Sequence, residues 1–442
     1  MKVTFIYPCV GKRPGEAYPN SWLMEPLAIA QLSALTPPSW ERVFYDDRFD
    51  SIPYDDPTDL VALSVETYSA RRAYQISARF RERGVRVVMG GFHPTLAPED
   101  AASHADALVV GEAEGVWATL LDDFEAGRLQ PHYEASSHPD LAGIFPDRKL
   151  FAGKRYMNLA LVETARGCRF NCDFCSISSF YNHSYSARPV GDVVQEITSL
   201  RKKNVFFVDD NLCVERDRAL ALFRALEPLG IRWVGQISVH VAGDDECLEA
   251  MRHSGCLGVL VGFETLNPGG NAVSGKALKG SLRPVYEKAV AQFARHRIGI
   301  YGTFVFGYDS DTRETLRETA DFALRHRLFF SAFNHLVPFP GTPLFERLSD
   351  EKRLLQEKWW LSPHYHFGDV AFQPALLSPE ELSLACFEAR HSFYGWRRIL
   401  RRALNWRSNC RSPFMTVLFW LSNLNARREV EKRQGLPLGV DE

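Results

Sequence analysis

Much is missing from this chain of 442 residues. No stretch approaches the roughly 18 consecutive apolar residues of a membrane span, which excludes an integral helical membrane protein. Excess charge is missing too. The 52 Lys and Arg stand against 54 Asp and Glu, a formal net charge of −2 that argues against nucleic acid as a partner. There is no internal repeat and no low-complexity tract, so solenoids and disordered arrays are out. Met1–Pro8 is too short for the apolar core of a signal peptide and reads as a buried strand. With nine cysteines, this predicts a reducing, cytoplasmic setting where thiols survive to bind metal.

What is present has an ordinary globular composition, 45% hydrophobic and 24% charged, sufficient for two or three domains. Residues 1–145 alternate short apolar runs with amphipathic segments. Strands are expected at Val3–Tyr7, Val43–Tyr45, Leu60–Val65, Val85–Met89 and Ala107–Val110, with helices near Leu23–Leu35, Ala70–Arg83 and Glu114–Phe124. This is the pattern of a Rossmann-like, doubly wound parallel sheet, whose ligands bind beyond the carboxyl ends of the strands. Those ends carry Pro8–Gly11, Glu66-Thr67, Gly90-Gly91-Phe92-His93-Pro94-Thr95 and Gly111-Glu112-Ala113-Glu114. A Gly-Gly pair there lets backbone approach a ligand closely. Residues 146–157, broken by Pro146, Asp147 and Gly153, are expected to be a linker.

The chemistry concentrates in Glu163-Thr-Ala-Arg-Gly-Cys168-Arg-Phe-Asn-Cys172-Asp-Phe-Cys175. The spacing is Cys-x3-Cys-x2-Cys, and no fourth cysteine follows closely. A [4Fe–4S] cube normally takes four thiolates, so three leave one iron open to a small molecule. Zinc would want a fourth Cys or His; His183, eight residues past Cys175, fits no common zinc spacing. A disulfide pair or three unrelated core cysteines are the plainer alternatives. The spacing, with Phe174 before the last cysteine, resembles the radical S-adenosylmethionine (radical SAM) superfamily. That resemblance implies a [4Fe–4S] cluster on Cys168, Cys172 and Cys175, with SAM on its open iron. It further implies reductive cleavage of SAM to a 5′-deoxyadenosyl radical, with electrons from a donor such as flavodoxin or ferredoxin.

From Asn158 to about residue 348 a strand–helix unit recurs six times, which predicts a partial (β/α)6 barrel with its chemistry at the strand ends. The resemblance implies that SAM lies among Asp209 and Asp210 (second strand end), Gln236 (third strand), Glu264 (fourth strand end) and Gly299 and Tyr301 (fifth strand). A carboxylate suits an ammonium or a pair of ribose hydroxyls. Asp209 or Asp210 could equally cap the next helix, and Gln236 faces either the barrel or a helix. Arg166 and Arg169 flank the first cysteine, where they could tune the cluster; exposed arginines there would be the unremarkable alternative. Cys213 reads as an inert buried thiol. The first domain resembles the cobalamin-binding domain that precedes many radical SAM domains, which implies tentative contacts from Gly90, Gly91, His93, Thr95, Gly111 and Glu112. One departure is that the Asp-x-His-x-x-Gly signature is absent near residues 9–16.

Residues 349–442 differ in character: aromatic around Trp359-Trp360, then strongly basic at Trp396–Leu404, then apolar at Phe414–Leu421. They are expected to form a helical cap on the barrel with its arginines in water; an interfacial helical pair giving peripheral membrane contact is the alternative. Two outcomes stay open for the reaction. One is a cobalamin-dependent methyltransferase acting on an unactivated carbon of a small-molecule or lipid-like substrate. The other is a radical SAM oxidoreductase, cyclase or rearranging enzyme with a vestigial first domain. An iron–sulfur electron-transfer protein is the non-catalytic alternative.

Overall fold

The computed structural model describes every residue except Pro14, Ala17, 19–22, 268–281 and 441–442. In the first third, strands β1 (Lys2–Tyr7), β2 (Glu41–Asp46), β3 (Leu60–Ser64), β4 (Arg86–Gly90), β5 (Ala107–Val110) and β6 (His132–Glu134) form one sheet in the order β2-β1-β3-β4-β5-β6. Each neighbouring pair is parallel. In β3, Leu60 and Ala62 join the core on one face while Val61 and Leu63 join the core on the other. Burial on both faces explains why these strands read as unbroken apolar runs. The order turns at β1, whose neighbours β2 and β3 lie on opposite sides, so a crevice opens between the ends of β1 and β3.

The second sheet follows the chain: β7 (Ala160–Val162), β10 (Asn204–Phe207), β11 (Arg232–Ser238), β12 (Cys256–Glu264), β13 (Gly299–Phe306) and β14 (Phe330–His335), all parallel and in that order. Its alternation is sharper than the first sheet's. Trp233, Ile237, Val259, Val261, Phe263, Phe304 and Phe333 are buried against the helices. The residues between them stay partly exposed on the inner side of an open barrel. Two rows cross that face in register: Gln236, Leu260, Tyr301 and Phe330, then Ser238, Gly262, Thr303 and Ala332. Between β7 and β10 the short antiparallel strands β8 (Ala165–Gly167) and β9 (Tyr185–Ala187) pinch off the cysteine loop.

Element boundaries shift from the expected ones where turn chemistry intervenes. The first helix starts at Leu27, directly after Pro26, and Ala113–Gly115 is a 3-10 turn ahead of the helix Trp117–Glu125. Residues 146–157 are tied down rather than loose. Phe151 is buried against Phe44, and Arg148 pairs with Glu25 of the first third and, at 2.6 Å, with Glu196 of the second.

The C-terminal helices Pro379–Phe393, Trp396–Ala403 and Pro413–Arg433 pack on the second sheet. The expectation of solvated arginines fails at Arg402, which is fully buried. It donates to the carbonyls of Leu328 (3.3 Å), Phe329 (2.9 Å) and Phe393 (3.1 Å) and lies 3.8 Å from the centre of the Phe393 ring. Burial with no carboxylate partner brings its pKa down to about 10. Arg402→Met keeps the aliphatic stem but strips three carbonyls of a charged donor. A loss of about 3 kcal/mol follows, read as a thermal midpoint several degrees lower.

Past the last helix the chain returns to the first sheet. Leu436 and Pro437 pair with Phe367 and His366. Gly439 bridges Gly11, its N–H donating to Val10 O at 2.9 Å, and Leu438 is wholly buried in a core of the first sheet.

Candidate active site

The cysteine loop is held from four sides. Gly167 adopts φ +82° with the carbonyl of Ser184 packed where a Cβ would stand, so only glycine fits beside Cys168. The Gly167 N–H donates to Asp210 at 2.9 Å. The Cys175 N–H closes onto Cys172 O at 3.1 Å, and the Ser178 hydroxyl donates to Phe170 O at 2.9 Å. From the far side, the Leu344 N–H donates to Asp173 O at 3.0 Å. Leu344 follows the Pro-Gly turn after β14, whose Gly341 (φ +70°) is pressed against Leu96 of the first sheet's domain.

All nine cysteines are free, which removes the disulfide reading. His183 is exposed. Among the described residues no three Cys, His, Asp or Glu side chains could hold a single metal ion. A cube, which takes each thiolate on a different iron, does not need such a grip. The sulfur environment fits a cluster. Cys168 receives the Phe170 N–H and the Asn211 side chain; Cys175 receives the N–H groups of Ile177 and Ser178. Burial pushes both thiols up, and bound iron reverses that by taking the thiolate outright.

The SAM-site expectations sort by position. Asp209 is buried, and both its oxygens accept from Thr164, at 2.7 Å from the N–H and 2.5 Å from the hydroxyl. It therefore locks the end of β7 to that of β10. Asp210, beside Cys168 and Cys175, remains at the loop. Burial pushes Asp209 up to about 7 and Asp210 up to about 6. Because the Asp209 value lies above that of an unfolded Asp, about 3.9, ionisation opposes the fold. Asp209's contribution to stability is full below pH 4, falls between about 4 and 7, and levels above. Asp209→Asn is expected to remove about 2–3 kcal/mol of the stability difference between pH 5 and pH 8, measured by denaturant titration of both proteins.

Gln236 faces the open barrel, in one row with Leu260 and Tyr301. Glu264 sits at a register shift with φ +61°, and the Thr265 N–H folds back onto Phe263 O at 2.8 Å. Such a turn is strained for a residue other than glycine. Tyr308 feels the charges of Glu264, Asp173 and Cys172 together, which sets Glu264 near the loop. The strand glycines are closely packed. A Cβ on Gly302 would meet Leu328 at 2.7 Å, and one on Gly299 would meet Leu257 O at 3.2 Å. Cys213 packs against the core beside Cys247, in keeping with an inert thiol.

Opposite the loop lie the ends of β1, β3, β4 and β5. The cleft between them is lined by Tyr7, Glu66, Gly90, Gly91, Gly111 and Glu112 from the first sheet, and by Glu163, Arg166 and Tyr181 from the second. Gly91 must be glycine: at φ +104° an added Cβ would stand 2.9 Å from Val65 O. Thr95 braces the rim, its hydroxyl donating to Gly91 O (2.8 Å) and accepting from the Gly111 N–H (2.9 Å). His93 does not reach the cleft. It is fully buried, with Nε2 2.9 Å from the Tyr74 hydroxyl and 3.2 Å from Asp100. The short helix Phe92–Leu96 turns it into the core beneath the sheet. A larger hollow of about 590 Å³, between residues 355–371 and the helix Pro379–Phe393, contains none of these groups.

Sequence reasoning missed how the two halves join. Arg166, two residues before the first cysteine, is buried, which removes the exposed alternative. It donates to Glu163 (2.8 Å) and Glu112 (3.1 Å) and pairs with Glu114 (2.6 Å). Burial pulls its pKa down, and Glu163 and Glu114 more than offset that and hold it high. His138 takes the other oxygen of Glu112 at 2.7 Å. The signal was in view as Glu112-x-Glu114 at one strand end and an arginine two residues before the first cysteine.

Two parallel α/β units, a strapped three-cysteine loop and a cleft between strand ends define a protein whose three thiols are suited to an iron–sulfur cluster. Residues 162–323 match the family model described as the radical SAM superfamily. The chain is 32% identical to a bacteriochlorophyllide d C-12(1)-methyltransferase of Chlorobaculum tepidum over 86% of each protein. It is 29% identical to the same organism's bacteriochlorophyllide d C-8(2)-methyltransferase, over 86% of this chain and 87% of that protein. Among solved structures, the radical SAM methyltransferase TsrM of Kitasatospora setae, determined with cobalamin and a [4Fe–4S] cluster bound, superposes with a TM-score of 0.69. That match covers 98% of this chain and 99% of that one at 16% identity, so it bears on the fold across both sheets. The chain belongs to the radical SAM superfamily and is a radical SAM enzyme.

Proposed function

We propose that this enzyme methylates an unactivated carbon of a large, mostly apolar ring compound, with cobalamin as the methyl carrier. The observation that carries the reading is the cleft in which the strand ends of the first sheet face the cysteine loop. The bound groups would supply radical initiation at the cluster with SAM, and methyl delivery from the corrinoid. The chain's own residues bind, orient and exclude water. Cys168, Cys172 and Cys175 hold the cluster; Asp210 and Glu264 are the carboxylates suited to the amino group and ribose of SAM. The retracted glycine ends Gly90, Gly91 and Gly111 receive the flat corrinoid. Among the described residues that line the cleft there is no histidine, so a corrinoid there would be held by backbone and by side chains other than imidazole. Leu260, Tyr301 and Phe330 on the open barrel face supply apolar surface for a ring, in keeping with the chlorin substrates in the names of the two Chlorobaculum relatives. Electrons come from a flavodoxin or ferredoxin, in the cytoplasm, where nine unpaired cysteines remain reduced.

The test is anaerobic reconstitution with iron, sulfide and hydroxocobalamin, then desalting. Retained corrinoid absorbance and transfer of a deuterated methyl from SAM to a chlorin probe are expected. Cluster assembly and 5′-deoxyadenosine formation without any retained corrinoid would overturn the methyl-transfer reading and leave the non-methylating one.

A further inference from the structure

The segment 389–428 holds nine arginines and no aspartate or glutamate, in a chain whose total charge is −2. Arg397, Arg398, Arg401 and Arg407 are exposed, and none of the four forms an ion pair with a described residue. Interleaved with them is apolar surface. Trp396, Leu400 and Leu404 recur every fourth residue, one side of a helix, and all three are more than half exposed. Trp406 in the following loop is 66% exposed, and Val417 and Leu421 on the long helix are 57% and 65% exposed. The inward sides of the same helices are well packed: Ile399, Met415 and Phe419 share one cluster with Phe329. Arg427 of the long helix lies 5.6 Å from the Trp396 ring of its neighbour, so the exposed rims adjoin.

An outward apolar stripe on a well-packed helix pair is a docking surface. Its charge selects the occupant. A second copy of the chain in a two-fold contact would set arginines against arginines. An anionic bilayer instead accepts tryptophan and leucine at the headgroup boundary and guanidinium at the phosphates. We propose that this helical pair seats the enzyme on anionic membrane surfaces, lying in the interface without crossing it. No helix among the described residues is long and apolar enough to cross. The patch lies at the end of the barrel opposite the chemistry. Arg232, opening β11, stacks 4.0 Å from the Phe414 ring, and Arg411 donates to Cys256 O, where β12 begins. A seated enzyme therefore keeps the cysteine loop and barrel mouth turned away from the lipid.

The full chain is tested by co-sedimentation with vesicles of phosphatidylcholine alone or mixed with phosphatidylglycerol. Binding to the mixed vesicles, little binding to phosphatidylcholine, and weakening between 0.1 and 0.5 M NaCl are expected. Arg397→Gln with Arg401→Gln should weaken it roughly tenfold or more. Trp406→Glu with Leu421→Glu should remove it, with the thermal midpoint and SAM cleavage unchanged. Failure to bind, or equal binding to both compositions, would overturn the proposal. So would concentration-dependent dimers that the Trp406→Glu and Leu421→Glu changes dissolve, which would assign the surface to a second copy.

Discussion

Replacing Cys172 by alanine is expected to abolish SAM cleavage while leaving the fold standing. Cys172 is the most buried of the three loop cysteines, 8% exposed. Its side chain is small, so the truncation costs about 1 kcal/mol of packing. The chemistry is affected quite differently. Two thiolates cannot hold a cube that three already hold with one iron open, so iron content and the broad visible absorbance of a cluster should fall to background. With them goes 5′-deoxyadenosine. Residual 5′-deoxyadenosine at more than background from this variant would mean that the loop is not the metal site. Asp209→Asn provides the contrast, since Asp209 ties strands together and carries no iron; it should retain the cluster.

Arg166→Met is expected to have the opposite signature, a loss of stability and of coupling between the halves. It strands Glu112, Glu114 and Glu163 beside one another with their shared cation gone. Uncompensated buried carboxylates cost about 3–5 kcal/mol when one partner of a buried network is removed. Thermal unfolding should separate into two transitions as the sheets come apart. Cobalamin retention and cluster content should drop together, because the same guanidinium touches the corrinoid-side rim and stands two residues before Cys168. Arg166→Lys should restore only part of this, since an ammonium is a single point of charge and cannot fork across three carboxylates. A single, unshifted transition for Arg166→Met would show that the cage is ornamental.

The arginine cage also shows where sequence reading stopped. The two sheets were readable because parallel strands buried on both faces are written as apolar runs, and the barrel strands because their alternation is strict. The cysteine loop was readable because metal ligation fixes spacing. His93 misled because it follows Gly90-Gly91 at a strand end. Only the turn of the short helix behind it decides that the ring faces Tyr74 and Asp100. Gln236 could not be oriented until the phase of β11 was known. Arg402 looked like any other arginine in a basic helix, since burial of a single guanidinium on carbonyls leaves no periodic trace. Contacts between distant segments, such as Arg166 with Glu112 and Glu114, depend on the docking of two units, and no local pattern encodes that.

The return of Gly439 to Gly11 has a consequence for how the protein is made. The two glycines are 428 residues apart (439 minus 11), so the end of β1 gains its last partner only after residue 439 has left the ribosome. Closing so long a loop is slow, and units synthesised earlier fold while they wait. During that interval the first sheet and the barrel can each form, but the chain that clasps them is still unmade.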